Sequence, residues 1–256
     1  MRMRFKPYAR PELLACDFHV HEPLTHGGHW HELYARPDQP WHLELGCGKG
    51  GFLAQIAPAH PDINYLGIDI TDKVLILAKR KVEAAYAARG IPADNVKIAS
   101  LDIERLGNAF TPEDRVSRIY INFCNPWSKN AGSNKHRLTH PRQLLQYRAL
   151  MPEGSEIYFK TDDDDLFRDS LEYFPASGYD IEWMTFDLHE NEPEWNIRTE
   201  HEGMFTEMGI KIKALIARKD PDPASVTWIE PKILKRQARE AAEAAAKAAQ
   251  EGEGNE

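Results

Sequence analysis

The stretch ELGCGKGGF, residues 44–52, constrains this chain more than any other. An apolar run, WHLELG (41–46), leads into it, and a segment able to form a helix follows. Glycines there permit a tight turn and the close approach of a ligand to the backbone, while a helix start offers free N–H groups. Strand, glycine loop and helix together form the opening unit of a doubly wound α/β fold. Further candidate strands follow: INYLGID (63–69), NVKIAS (95–100), RIYINF (118–123) and SEIYFK (155–160). Helix-like segments separate them, as at 72–89, where Thr71 can cap the start, Gly90 can end the helix and Pro92 forbids continuation. Such alternation predicts a parallel sheet covered on both faces. YDIEWMTFDL (179–188) and GIKIKALIA (209–217) have no long helix between them, which predicts antiparallel pairing at one edge. The expected architecture is α/β and Rossmann-like, with a mostly parallel sheet and an antiparallel edge strand. In the 256 residues we expect an N-terminal arm and loop (1–40) and one α/β domain (41–218). A linker and an Ala-rich C-terminal helix with a frayed end (219–256) complete the expected organisation.

The glycine loop alone leaves the ligand ambiguous. Gly46, Gly48 and Gly51 satisfy the dinucleotide pattern G-x-G-x-x-G, whereas Gly46, Gly48 and Gly50 satisfy the G-x-G-x-G common in S-adenosylmethionine enzymes. Asp69, 23 positions after Gly46, ends the second strand and suits the ribose hydroxyls of either cofactor. Two further acids tip the balance. Glu44, inside the strand before the loop, would repel a pyrophosphate but suits an ammonium. Asp102, after the third strand, is placed to accept from an adenine amino group. Three acids at three strand ends favour the methyl donor.

Net charge points the other way at first. Lys+Arg 32 against Asp+Glu 40 gives −8, and a polyanion binder usually carries a basic surplus. Yet residues 115–152 contain no acid and carry Arg115, Arg118, Lys129, Lys135, Arg137, Arg142 and Arg148, a local +7 that leaves −15 on the rest. A surface facing phosphates has this composition. Within the stretch, INFCNPWSK turns at Pro126 and sets Asn125 and Trp127 at the carboxyl end of the sheet, where ligands of such folds sit. Trp127 there can stack on a base or fill core. KNAGSNKHR (129–137) reads as a basic loop.

At this point the chain resembles the bacterial tRNA (guanine-N7)-methyltransferases. The likeness covers roughly residues 1–218. It rests on MRMRFKP (1–7), ELGCGKGGF (44–52), INYLGID (63–69), NFCNPWSK (122–129), KHRLTHP (135–141), FKTDDDDLF (159–167) and NIRTEHE (196–202). The resemblance implies a class I methyltransferase fold and transfer of the methyl of S-adenosylmethionine to N7 of a guanine in the tRNA variable loop. By position, it implies that Glu44, Asp69, Asp102 and Asn125 bind the donor, with Asn125 catalytic. It also implies that Lys129, Asp162, Thr199 and Glu202 hold the substrate, with Lys135 and Arg137 on the RNA. Two departures stand out: the family turn reads Asp-Pro-Trp-Pro-Lys where this chain has Asn125 and Ser128, and Ala131, Gly132 and Ser133 dilute the basic loop.

Guanine N7 has a free lone pair and no proton, so its methylation needs no general base. The amide at 125 therefore predicts an active enzyme, with tRNA as partner. Asp162 and Glu202 suit the guanine N1–H and N2–H₂ donors. Asp163, Asp164 and Asp165 suit a helix start. HVHEPLTHGGHWHE (19–32) lacks metal-ligand spacing and reads as a covering loop; no metal is expected. Cys16, Cys47 and Cys124 form no CxxC, which suits a reducing compartment, and no run of about 18 apolar residues exists. A cytoplasmic monomer or homodimer without an obligatory protein partner or membrane is expected. The alternatives are a catalytically silent tRNA binder and a methyltransferase of another RNA or a small molecule.

Overall fold

The structure, a computed structural model, describes residues 6–128, 131–236 and 239. Lys129, the first five residues of the MRMRFKP motif and most of the segment expected to form an Ala-rich helix lie outside the described residues. Eight strands are described: β1 (His19–Val20), β2 (Trp41–Leu45), β3 (Asn64–Asp69), β4 (Val96–Ser100), β5 (Arg118–Asn122), β6 (Glu156–Thr161), β7 (Tyr179–Thr185) and β8 (Lys213–Lys219). The α-helices are α1 (Ala9–Leu14), α2 (Leu53–Ile56), α3 (Asp72–Arg89), α4 (Pro141–Leu150), α5 (Asp164–Ala176) and α6 (Glu200–Glu207).

The strands form one sheet in the order β1-β4-β3-β2-β5-β6-β8-β7. Pairings from β1 to β6 are parallel, and β8 runs antiparallel to both β6 and β7. The chain runs outward from β2 through β3 and β4, then returns to the other side of β2 as β5. That reversal opens a crevice at the carboxyl ends of the central strands. β2 is buried throughout, as a strand covered on both faces must be. The antiparallel pairing expected from the last two strands is present, but the reversed strand, β8, lies one place inside the edge. Its near-continuous burial suits that place, and the alternating exposure of β7 suits the edge.

Local signals hold where they are stereochemical. Gly90 ends α3 in the left-handed region (φ 64°), its N–H bonding the carbonyls of Ala87 and Tyr86. Asp163 caps α5 by accepting from the Leu166 N–H at 2.7 Å, the role expected of that acidic run. Residues 1–40 do more than form a loop, since His19 and Val20 extend the sheet beside β4. Trp30 is buried, donates from its indole N–H to the Ala109 carbonyl at 2.7 Å and stacks on Phe110, which pins the His-rich segment to the domain. The expected linker also packs: the Thr227 and Trp228 N–H groups both reach the Ala176 carbonyl, at 3.0 and 2.9 Å. Residues 231–236 are helical beyond it.

The one-signed stretch 115–152 does not make a one-signed surface. Arg118 pairs with Glu156 at 2.7 Å, Arg142 with Glu230 at 3.2 Å and Arg137 with Asp169. Arg148 donates to the carbonyls of Gly178, Asp220 and Asp222. Acids and carbonyls from later in the chain therefore answer four of the seven cations. Arg115 and Lys135 remain exposed.

Candidate active site

The crevice holds a cleft of about 470 Å³. Its floor begins with Glu44, the fourth residue of β2 and 4% exposed. Oε1 of Glu44 accepts from the Asn122 amide at 3.2 Å, while Oε2 is buried with no hydrogen-bond partner. Burial pushes this carboxyl up to about 7. A buried carboxylate oxygen left unpaired is costly, and an ammonium entering the cleft would satisfy it. This is the group by which the chain fits the amino-acid end of S-adenosylmethionine.

Gly46 and Gly48 line the cleft beside Glu44. Gly48 takes φ 53°, which turns its N–H onto Asp69 Oδ2 at 3.1 Å. Asp69 also accepts from the Thr71 N–H at 3.3 Å, so the β3 acid is held at the cleft wall, and burial raises its carboxyl above the ordinary value. Asp102 caps the turn after β4, accepting from the Glu104 N–H at 3.1 Å, and faces the same cleft. Ile70, 64% exposed, and Ile103 supply apolar surface between these acids, as a ribose and a flat base require. The donor set therefore fits: carboxylates for an ammonium, a ribose and an exocyclic amine, with apolar faces between them.

Gly50 has another task. It does not line the cleft; a Cβ built on it stands 2.7 Å from the Cα of Ala78 on α3, and its φ is 73°. The loop lies against the helix backbone there. Gly50→Ala should lower stability by about 2–4 kcal/mol in thermal or urea denaturation. Gly90→Ala, also at positive φ but with open space around it, should cost about 1 kcal/mol. Equal losses would remove the packing argument.

The opposite wall is the turn after β5. Asn125 is exposed to the cleft, and its Oδ1 accepts the Trp127 N–H at 3.2 Å. Phe123 and Trp127 both adopt left-handed conformations, φ 53° and 51°, which bulky residues adopt only under constraint. Arg137 supplies part of it. Expected on the RNA, it is 2% exposed, donates from Nε to the Pro126 carbonyl at 2.7 Å and pairs with Asp169. It thus holds the turn and presents nothing to solvent. Trp127 is 39% exposed at the cleft mouth, its ring 5.1 Å from that of His136, which bonds Glu104 at 2.7 Å.

Of the expected substrate residues, Thr199 lines the cleft; it also caps α6, accepting the Glu202 N–H at 3.3 Å. Glu202 does not. It is fully buried, bound by Lys160 and Asn196 at 2.7 Å each and His189 at 2.8 Å. Asp162 is half-buried at the end of β6 and does not line the cleft, and burial raises its carboxyl. The sequence alone assigns no role to Ile70, His136, His201 or the buried Lys160, although all but Ile70 lie within the quoted motifs. Lys160 carries a signal, a cation directly after the apolar run Ile157–Phe159, and the two histidines lie within the motifs KHRLTHP and NIRTEHE.

A sequence model described as "Putative methyltransferase" matches residues 38–215. The chain is 55% identical over 220 residues to a tRNA (guanine-N(7)-)-methyltransferase of Clostridium beijerinckii, covering 86% of this chain and 100% of that protein. It is 52% identical over 219 residues to the protein of that name from Clostridium perfringens, and 47% identical over 219 residues to that of Acetivibrio thermocellus, with the same coverage in each case. The crystal structure of the 16S rRNA methyltransferase KamB shares the fold at a TM-score of 0.52 and 13% identity, covering 86% of this chain and 96% of that one. The fold is that of class I S-adenosylmethionine-dependent methyltransferases, and the chain belongs to the tRNA (guanine-N7)-methyltransferase family.

Proposed function

We propose that this chain methylates N7 of a guanine in the variable loop of tRNA, in the cytoplasm. The observation that carries the reading is that one cleft brings together Glu44, with its unpaired buried oxygen, and the Asn125–Trp127 turn. A site for an ammonium-bearing donor thus adjoins a site for a flat acceptor. S-adenosylmethionine, when bound, supplies an electrophilic methyl on a sulfonium. Everything else falls to the chain. Glu44, Asp69 and Asp102 hold the donor, and the loop from Gly46 to Gly48 lets it lie against backbone. No residue needs to take a proton, because N7 carries none; the site must align the lone pair and tolerate the cationic purine that forms. Asn125 offers an amide at that point in place of the acid usual in the family. Trp127 offers a ring face, which favours a flat and increasingly cationic base. Thr199 stands on the substrate side, and exposed Lys135 suits phosphate; Lys129 belongs to the same basic loop by sequence.

Stacking on Trp127 gives a test of this arrangement. Trp127→Leu should raise KM for tRNA about tenfold while donor affinity stays within about twofold, since base stacking contributes about 1–3 kcal/mol. An unchanged KM would take the base away from this ring. The function itself is tested with labelled S-adenosylmethionine and paired tRNA transcripts that carry guanine or adenine at the variable-loop position. Label should enter only the guanine transcript. Label in both would remove the site assignment, and label in neither would leave a silent tRNA binder.

A further inference from the structure

Lys160 stands in the middle of the sheet, on β6 between β5 and β8, with its side chain 4% exposed. An ammonium has three N–H donors, and all three are taken: Asn196 Oδ1 at 2.7 Å, the Ile197 carbonyl at 2.9 Å and Glu202 Oε2 at 2.7 Å. These acceptors belong to the segment that leads into α6 and to its first turn. On its other side the same residue holds the turn after β5. Its carbonyl accepts the Phe123 N–H at 2.9 Å, and its ammonium lies 5.8 Å from the centre of the Phe123 ring.

One residue therefore joins the two segments that form the acceptor side of the cleft, Phe123 to Trp127 and Thr199 to His201. The rings of Phe123 and His201 lie 21° from parallel with centres 6.4 Å apart, so the segments also meet directly. Glu202 completes the link. Its other oxygen is held by Asn196 and His189, which leaves neither carboxylate oxygen free for a base. β6 needs no such pair to stay in the sheet, since both neighbouring strands bond it along its length. A buried ion pair is a costly way to stabilise a core, but it fixes the relative position of the elements it joins.

We propose that Lys160 is a positioning residue for methyl transfer, and that Glu202 acts on the substrate only through it: the pair sets the acceptor wall against Asn125 and Trp127. This rests on the function proposed above. The variants are the double change Lys160→Met with Glu202→Leu, which removes both charges together, and the single changes Lys160→Met, Lys160→Arg and Glu202→Gln. Each is measured for thermal unfolding, donor binding by calorimetry, and kcat and KM for tRNA.

The double variant should fold and bind donor within about twofold of the parent, yet lose at least about tenfold in kcat/KM for tRNA. Lys160→Arg, which keeps the cation, should recover most of that loss. A folded, donor-competent double variant with parental kcat/KM would overturn the proposal. So would a Glu202→Gln chain that loses tRNA turnover while Lys160→Met keeps it, because Glu202 would then touch the base itself. If the double variant does not fold, the single changes decide: a loss shared by Glu202→Gln and Lys160→Met supports the link, and a loss confined to Glu202→Gln refutes it. A parent chain that transfers no methyl to any tRNA would defeat the functional reading instead, so the two failures remain distinct.

Discussion

Glu44→Gln should weaken methyl-donor binding by roughly 10- to 100-fold, about 1.4–2.8 kcal/mol, with little change in fold. Glutamine keeps the shape and can still accept from Asn122, so the loss isolates the charge proposed to face the donor's ammonium. Binding by the parent chain should also depend on pH in a characteristic way. Burial holds the Glu44 carboxyl protonated up to about 7, while only its ionised form pairs with an ammonium. Affinity should therefore rise as pH climbs towards 7. It should fall again above about 8, where an α-amino group loses its proton. Glu44→Gln should flatten the acid limb only. Calorimetric titration from pH 5.5 to 8.5 checks both points, and an acid limb surviving in Glu44→Gln would contradict the assignment.

Linkage gives the same group an opposite effect on the donor-free fold. A carboxyl raised from its ordinary 4.5 to about 7 by burial favours the folded state while protonated. That contribution is fully present below about 4.5 and is lost as pH rises through about 7. Over this window the parent chain should lose stability relative to Glu44→Gln, and donor should restore it by mass action. Denaturant midpoints with and without donor at pH 5 and 8 measure the difference.

The second large effect belongs to Asn125. Asn125→Ala should lower single-turnover methyl transfer about 100-fold at saturating tRNA, and Asn125→Asp should leave it at or above the parental rate. Alanine removes two things together. It takes the polar group from the point where, on the proposed function, the purine becomes cationic. It also removes the Oδ1 acceptor that bonds the Trp127 N–H at 3.2 Å and helps hold that residue at φ 51°. A tryptophan there carries about 1–2 kcal/mol of backbone strain, so loss of the acceptor should let the ring leave the cleft mouth. Aspartate keeps the acceptor and adds a charge that favours the product cation. If the alanine variant stays within about threefold of the parent, the turn contributes position but not chemistry.

Much of this was legible in the residues because the signals are local. A glycine loop between strand and helix fixes the crevice, and acids at the ends of β2, β3 and just after β4 turn towards it by the geometry of parallel strands. Gly90 and Asp163 declare helix ends by stereochemistry alone. What escaped is non-local. The cations of 115–152 look unopposed along the chain because Glu156, Asp169 and Glu230 all come later, so a one-dimensional sum cannot see the pairing. The place of β8 inside β7 follows from its near-continuous burial against the alternation of β7, a pattern that pairing order alone does not convey. Glu202 shows how one motif serves two readings. The resemblance gives Thr199 and Glu202 to the substrate, but Thr-x-x-Glu is also a helix-start pattern, and here Thr199 does cap α6 while Glu202 turns inward to Lys160.

The product proposed for this chain is N7-methylguanosine in the variable loop of tRNA. N7-methylguanosine, unlike guanosine methylated elsewhere, opens on borohydride reduction and lets aniline cut the chain at that residue. Treated transcripts should show one new cut, at a variable-loop guanine, dependent on both this protein and S-adenosylmethionine. Methyl label without a cut, or cuts at guanines outside that loop, would place the methyl group elsewhere and refute the proposed function.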